Sequence, residues 1–80
     1  IMTNLEKYNA IFCDVFNVSV DALDDDFCKE NVDGWDSIKQ FSLTTAIEDE
    51  FDLLLDPEGM IAFTSYEGGK KILVKNGIGL

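Results

Sequence analysis

Asp36-Ser37-Ile38-Lys39-Gln40-Phe41-Ser42-Leu43-Thr44-Thr45-Ala46-Ile47-Glu48-Asp49-Glu50-Phe51-Asp52-Leu53-Leu54 carries a sustained helical pattern. Asp36 is a good N-cap, because its carboxylate can accept from a first-turn N–H. At about 100° per residue, Leu43, Ile47, Phe51 and Leu54 fall into one apolar stripe. That stripe predicts a helix with its core face on those four residues and an apolar pattern running from Ile38 to Leu54. Ile38 and Phe41 fall on the opposite side, with Thr45, Glu48, Asp49 and Asp52. A helix in a bundle needs only one apolar stripe. Two large apolar residues ringed by carboxylates on the other face predict a docking surface. The competing explanation is that the acidic segment before the helix covers them, since Phe27 and Val32 also need somewhere to pack.

Upstream, Thr3-Asn4-Leu5-Glu6 reads as a capping box. Leu5, Tyr8, Phe12, Val15 and Phe16 then recur at helical spacing beside Ile11, and Asn17 is a suitable stop. A first helix is expected over residues 4–16. Val18 to Asp36 has no sustained period and carries Asp21, Asp24, Asp25, Asp26, Glu30, Asp33 and Asp36. It reads as a long crossover pinned by Val20, Leu23, Phe27 and Val32, with a helical turn near Val20 to Leu23. Downstream, Asp56-Pro57 reads as an N-cap followed by proline at the first helical position, opening a short helix that ends near Phe63. Thr64-Ser65-Tyr66-Glu67 reads as a second capping box. It opens a last helix through Tyr66, Ile72 and Leu73 that stops at Asn76-Gly77. Gly68 and Gly69 within it each cost roughly 1 kcal/mol relative to Ala, which points to close backbone packing there or to a frayed first turn. The expected fold is all-α: a four-helix bundle of three longer helices and one short helix, with a long first loop, in a single domain over residues 1–80. Its core is expected to contain Leu5, Tyr8, Phe12, Val15, Leu43, Ile47, Phe51, Leu54, Tyr66 and Leu73.

Sixteen Asp and Glu against six Lys give the 80-residue chain a net charge of −10. Nucleic acid and anionic membrane surfaces repel such a chain, and partners with a basic face are favoured. No apolar run is long enough to span a bilayer. Cys13 and Cys28 are too few for a disulfide framework, and free thiols in a cytoplasmic protein are expected. The chain has no histidine, so Ser37 has no conventional base to make it a catalytic nucleophile. Placing Gly34 at the sixth position of a calcium loop puts Lys29 at the first and Gln40 at the twelfth, where acidic ligands are needed. A zinc site lacks ligands, and Gly68-Gly69-Lys70-Lys71 lacks the spacing of a phosphate loop. Neither a metal site nor catalysis by this domain is expected.

Gly34-Trp35-Asp36-Ser37-Ile38 resembles the attachment motif of the acyl carrier protein family, Asp-Ser-Leu at the start of the second helix. Ala46-Ile47-Glu48-Asp49-Glu50-Phe51 is similar to the family's acidic segment further along that helix. Thr64-Ser65-Tyr66-Glu67 stands where its final helix opens. The likeness covers nearly the whole chain. It implies an acyl-carrier-like bundle in which Ser37 bears 4′-phosphopantetheine, transferred from coenzyme A by a phosphopantetheinyl transferase. The arm would carry acyl intermediates as thioesters between partner enzymes of lipid, polysaccharide or secondary-metabolite biosynthesis. Acyl-loading and acyl-transferring enzymes with basic faces would dock on Asp36, Ile38, Phe41, Glu48 and Asp49, and the carrier would be monomeric. After the serine the family commonly has Leu and then acidic residues, whereas this chain has Ile38, Lys39 and Ser42. The resemblance therefore implies a specialised member with dedicated partners. An acidic helical adaptor or inhibitor that binds a basic partner unmodified would share the charge and the Ile38–Phe41 patch, but would not require a reactive Ser37.

Overall fold

The computed structural model of the chain describes residues 1–80. It contains helix α1 (Asn4–Phe16), a single 3₁₀ turn (Val20–Ala22), α2 (Ser37–Phe51), α3 (Pro57–Ala62) and α4 (Tyr66–Lys75), and no strand beyond one isolated bridge. The fold is therefore all-helical, with three longer helices and one short one. No helix is long and apolar enough to cross a membrane.

Local capping explains where the helices begin and end. The Thr3 hydroxyl accepts from Glu6 N–H, and the Glu6 carboxylate accepts from Thr3 N–H in return. The backbone bond first, then the hydroxyl, holds the Glu6 carboxyl below its ordinary pKa. Asp36 and Asp56 cap α2 and α3 by accepting from Lys39 N–H and Gly59 N–H. Asn17 closes α1 and Asp52 closes α2, both in the left-handed region. The last helix departs from expectation by one residue. Ser65, not Thr64, is its N-cap and accepts from Gly68 N–H, so the expected Thr64–Glu67 box does not form. Glu67 pairs instead with Lys70 at 3.3 Å.

One cluster of ten buried residues forms the core: Tyr8, Phe12, Phe27, Trp35, Leu43, Ile47, Leu55, Phe63, Tyr66 and Leu73. Val15 and Phe51 pack against it, half-buried, and Leu5 is half-buried on α1. Leu54 is the clear departure. It was expected in the core, but α2 ends at Phe51 and the left-handed Asp52 redirects the chain. Leu54 is then 87% exposed, and Leu55 takes the inward position. Val20, read as a pin of the long loop, is likewise 52% exposed.

Of the other expected pins, Phe27 is buried and Leu23 and Val32 pack against the core half-buried, and Trp35, not expected as a pin, is buried beside Phe27. Phe27 and Trp35 both lie in the loop, and both pack edge-on or tilted against Phe12 and Phe16 of α1. The backbone is stapled beside them. Lys29 N–H donates to Thr64 O at 2.8 Å, and Tyr66 N–H donates to Phe27 O at 2.9 Å. These two bonds tie the middle of the loop to the joint between α3 and α4. Nineteen residues without a helical period are thereby held by rings and a two-bond bridge.

The glycine pair in α4 resolves into two roles. A Cβ on Gly69 would sit 2.6 Å from two atoms of the Phe63 ring and would also strike the Tyr8 hydroxyl. Those groups are fully buried, and Tyr8 Oη donates to Tyr66 O at 2.7 Å. Burial also pushes the Tyr8 phenol far above its ordinary pKa, so it stays neutral. Gly69 thus makes room on α4 for the Tyr8 hydroxyl and the Phe63 ring, whereas a Cβ on Gly68 meets only the Ser65 side chain. Gly69→Ala is expected to cost about 1–3 kcal/mol by overpacking, more than Gly68→Ala. Urea unfolding of the two variants checks this ordering.

Candidate functional site

Ser37 is the first residue of α2 and is exposed. Its position follows from three neighbours. Gly34 adopts φ +83°, a left-handed turn that non-glycine residues rarely take. Trp35 then plunges into the core at 5% exposure. Asp36 N–H closes the turn on Gly34 O at 2.9 Å, and its carboxylate caps the helix through Lys39 N–H at 2.9 Å. The cap is therefore made by Asp36, and the Ser37 hydroxyl stands at the helix mouth facing solvent. That mouth carries unpaired N–H groups and the positive end of the helix dipole, which suit an anion attached there.

Ile38 and Phe41 flank the serine at 75% and 71% exposure. The acidic loop does not cover them, because Phe27 and Trp35 turn into the core on the other side of α2. Asp36 and Asp49 are exposed on the same helix. Glu48 stands apart from the other expected docking residues. It is half-buried, and its Oε2 accepts from Leu55 N–H at 2.9 Å. Beside it, Asp49, Asp52, Leu53 and Leu54 line an open hollow at the C-terminal end of α2. The structure thus brings Asp36, Ser37, Ile38 and Phe41 together around the helix start. Glu48 and Asp49 lie two to three turns away, at the other end. No family model, characterised protein or solved structure matches this chain.

Lys39 is the residue whose geometry sequence reasoning missed. Its Nζ donates to Val15 O at 2.9 Å. Helix α1 has no basic residue in its last turn, so its C-terminal carbonyls and negative dipole end lack a local cation. Lys39 supplies one from α2. A lysine that looks like a change in the docking charge is therefore turned back onto the fold. Gln40 was also overlooked. Its side-chain oxygen accepts from Trp35 Nε1 at 2.7 Å, while its amide nitrogen donates to Met60 O and Phe63 O at 3.0 and 2.7 Å. One side chain thereby joins the loop before Ser37 to the C-terminal end of α3. Polarity was its only signal: Gln40 lies on the core side of α2, where a polar group needs partners.

No cluster of three or more metal-ligating side chains forms. The two cysteines are free and half-buried. What the site can do chemically is present an exposed hydroxyl, at a fixed place, beside an apolar and acidic face.

Proposed function

We propose that this chain is an acyl carrier protein, modified at Ser37 with 4′-phosphopantetheine and recognised by partner enzymes through the outer face of α2. The observation that carries this reading is the division of labour at the helix start. Asp36 does the capping, which frees an exposed Ser37 hydroxyl beside exposed Ile38 and Phe41. A serine kept only as a cap would have no reason to sit one residue past a working cap.

The residues suit the arm as a tether. The Ser37 oxygen bonds to the phosphorus of the pantetheine phosphate of coenzyme A. The phosphoanhydride bond breaks, adenosine bisphosphate leaves, and the serine proton passes to the transferase. The chain contributes the hydroxyl and the helix N–H groups that face the new phosphodiester. The lysine of that turn, Lys39, is committed to Val15 O and leaves the phosphate unclamped. When attached, the arm's thiol holds acyl groups as thioesters. Ile38 and Phe41 offer apolar anchors to a docking enzyme, and Asp36 and Asp49 meet its basic groups. Contacts of this kind are fast, weak and sensitive to salt. Expected partners are a phosphopantetheinyl transferase and enzymes that load or remove the acyl group in lipid, polysaccharide or secondary-metabolite assembly.

Incubation with coenzyme A and a promiscuous phosphopantetheinyl transferase tests the proposal. Intact mass should rise by one arm, located to Ser37 by peptide mapping. An unchanged mass, beside a fully modified control carrier, would favour an unmodified acidic adaptor. Phe41→Asp is expected to weaken modification by the transferase several-fold, since it puts a like charge into a docking face. Its melting temperature should stay near that of the parent chain, because the ring is 71% exposed. A large fall in melting temperature would place Phe41 in the core.

A further inference from the structure

Charge is unevenly spread over this acidic chain. Helix α4 holds three of the six Lys, Lys70, Lys71 and Lys75, and one of the sixteen Asp and Glu. That acid, Glu67, is taken up by Lys70 in the chain's one ion pair, and Lys70 also lies over the Tyr66 ring. Lys71 and Lys75 are exposed and enter no ion pair. Lys75 stands in the last turn, where a cation offsets the helix dipole. The dipole accounts for Lys75 but not for Lys71, one turn earlier. Among these lysines lies a hollow, lined also by Glu67 and by the exposed Val74 and Leu80. The methylene stems of lysine add to its apolar lining. The tail beside it is fastened. Ile78 N–H donates to Leu73 O at 3.0 Å, and Asn4 Nδ2 donates to Gly79 O at 2.9 Å.

The neighbouring surface has the opposite sign. Leu54 is 87% exposed, and Asp52, Asp56 and Glu58 close to it in the chain are exposed as well. The two surfaces meet at the hollow between α3 and α4. Leu54, Asp56 and Glu58 line it from α3 and the loop before it, and Ile72 and Lys75 line it from α4. One face of the molecule is thus acidic with a projecting leucine on one half, and basic with an apolar hollow on the other.

We propose that two copies of this chain pair through this face about a twofold axis, with Leu54 of each copy entering the α4 hollow of the other. A twofold rotation about the hollow between α3 and α4 lays the acidic half of one copy on the basic half of its partner, twice over. A face complementary to itself makes a closed pair, the commonest form of homo-oligomer. Carboxylates of Asp52, Asp56 and Glu58 then meet Lys71 and Lys75, which have no ion-pair partner within their own chain. A partner of one sign throughout would match only half of the face. Nucleic acid and anionic lipid are repelled by the net charge of −10. That charge also makes the two copies repel. At about 0.01 M salt the Debye length of about 30 Å spans the whole 30 × 30 × 19 Å molecule. At about 0.15 M it falls to about 8 Å, which screens the distant charges and leaves the contact pairs. The contact is small, so pairing is weak and reversible. Ser37, Ile38 and Phe41 lie at the other end of α2 and stay uncovered, so the pair does not depend on the carrier function. It differs from the monomer that the family resemblance implies.

Sedimentation of the unmodified chain tests this in about 0.15 M salt, from about 10 μM to about 1 mM. The average mass is expected to rise with concentration from one copy toward two and to stop there. A single copy across the whole range would overturn the proposal, and growth past two copies would overturn the closed arrangement. Leu54→Lys sets a cation against the lysines of the hollow, and Lys71→Glu sets a carboxylate against the acidic half. Each is expected to return the chain to a single copy over the same range. Both positions are exposed, so melting temperatures should stay near that of the parent chain. Should Leu54→Lys fail to fold, Lys71→Glu decides. Phe41→Asp, at the far end of α2, should pair like the parent. The surface is read independently from ¹⁵N-labelled protein. Between dilute and concentrated samples the amides of Leu54, Lys71, Val74 and Lys75 should shift, and those of Ser37 and Ile38 should not. Pairing that survives both variants, loss of pairing in Phe41→Asp, or shifts at the start of α2 instead would place the contact elsewhere and overturn the proposal.

Discussion

Phe12→Ala is expected to lower the unfolding free energy by about 3–5 kcal/mol, the largest effect of any single substitution in the core. The Phe12 ring is fully buried. Its centroid lies between 4.9 and 6.4 Å from those of Tyr8, Phe16, Phe27, Trp35, Phe63 and Tyr66. Those six rings come from α1, the long loop, and the segments on either side of the joint between α3 and α4. Removing Phe12 therefore leaves a void where three parts of the chain meet. Aromatic pairs also contribute beyond their buried area, by about 0.5–1.5 kcal/mol each. The surrounding rings are rigid, so the void should collapse poorly. A domain of this size has only about 5–15 kcal/mol of total stability. The urea midpoint should fall by a large fraction, with an unchanged slope. Phe41→Ala is the control: the same residue type at 71% exposure should shift the midpoint little. A small effect at Phe12 would mean that the loop rings repack without it.

The same cluster explains where sequence reading succeeds and where it stops. Helix starts are local chemistry, so Thr3, Asp36 and Asp56 announce them within four residues. The inner stripe of α2 is also local, and Leu43 and Ile47 lie where the helical period puts them. Leu54 continues that period on paper, but one left-handed residue, Asp52, ends the helix and rotates everything after it. Nothing in the spacing distinguishes Leu54 from Leu55. The loop is harder still. Phe27 can be read as an apolar pin of the loop, but neither it nor Trp35 has a period that shows what it packs against, because that depends on a bridge to Thr64 and Tyr66, distant in sequence. The long-range roles of Lys39 and Gln40 are hidden for the same reason. Lys39 presents to sequence reading as a charge on a docking face, yet the group that engages it is a carbonyl of α1. Ser37, Ile38 and Phe41, by contrast, could be placed at a helix mouth and on an outer face from the cap and the wheel alone, since both follow from α2 by itself.

Ser37→Ala is expected to abolish modification by the transferase entirely while leaving stability within about 0.5 kcal/mol of the parent chain. The two halves of this prediction have different origins. Loss of modification is chemical: without an oxygen at position 37 there is no atom to bond to the phosphorus, and Ser42, more than a turn further on, lies away from the helix mouth. Retention of stability is structural. The first-turn N–H of Lys39 is satisfied by Asp36, and alanine is the better helix former at the position that serine vacates. Asp36→Ala should behave in the opposite sense. It removes the working cap and is expected to cost about 1 kcal/mol, yet it leaves the hydroxyl in place, so the arm should still be accepted at a reduced rate. Circular dichroism melts and intact-mass time courses on the two variants separate capping from modification at adjacent residues. If Ser37→Ala instead melted like Asp36→Ala, the serine would be part of the cap, and the division of labour that supports the carrier function would be lost. If the two variants diverge as expected, position 37 contributes nothing to the fold that alanine does not supply, which is what the proposed modification site requires.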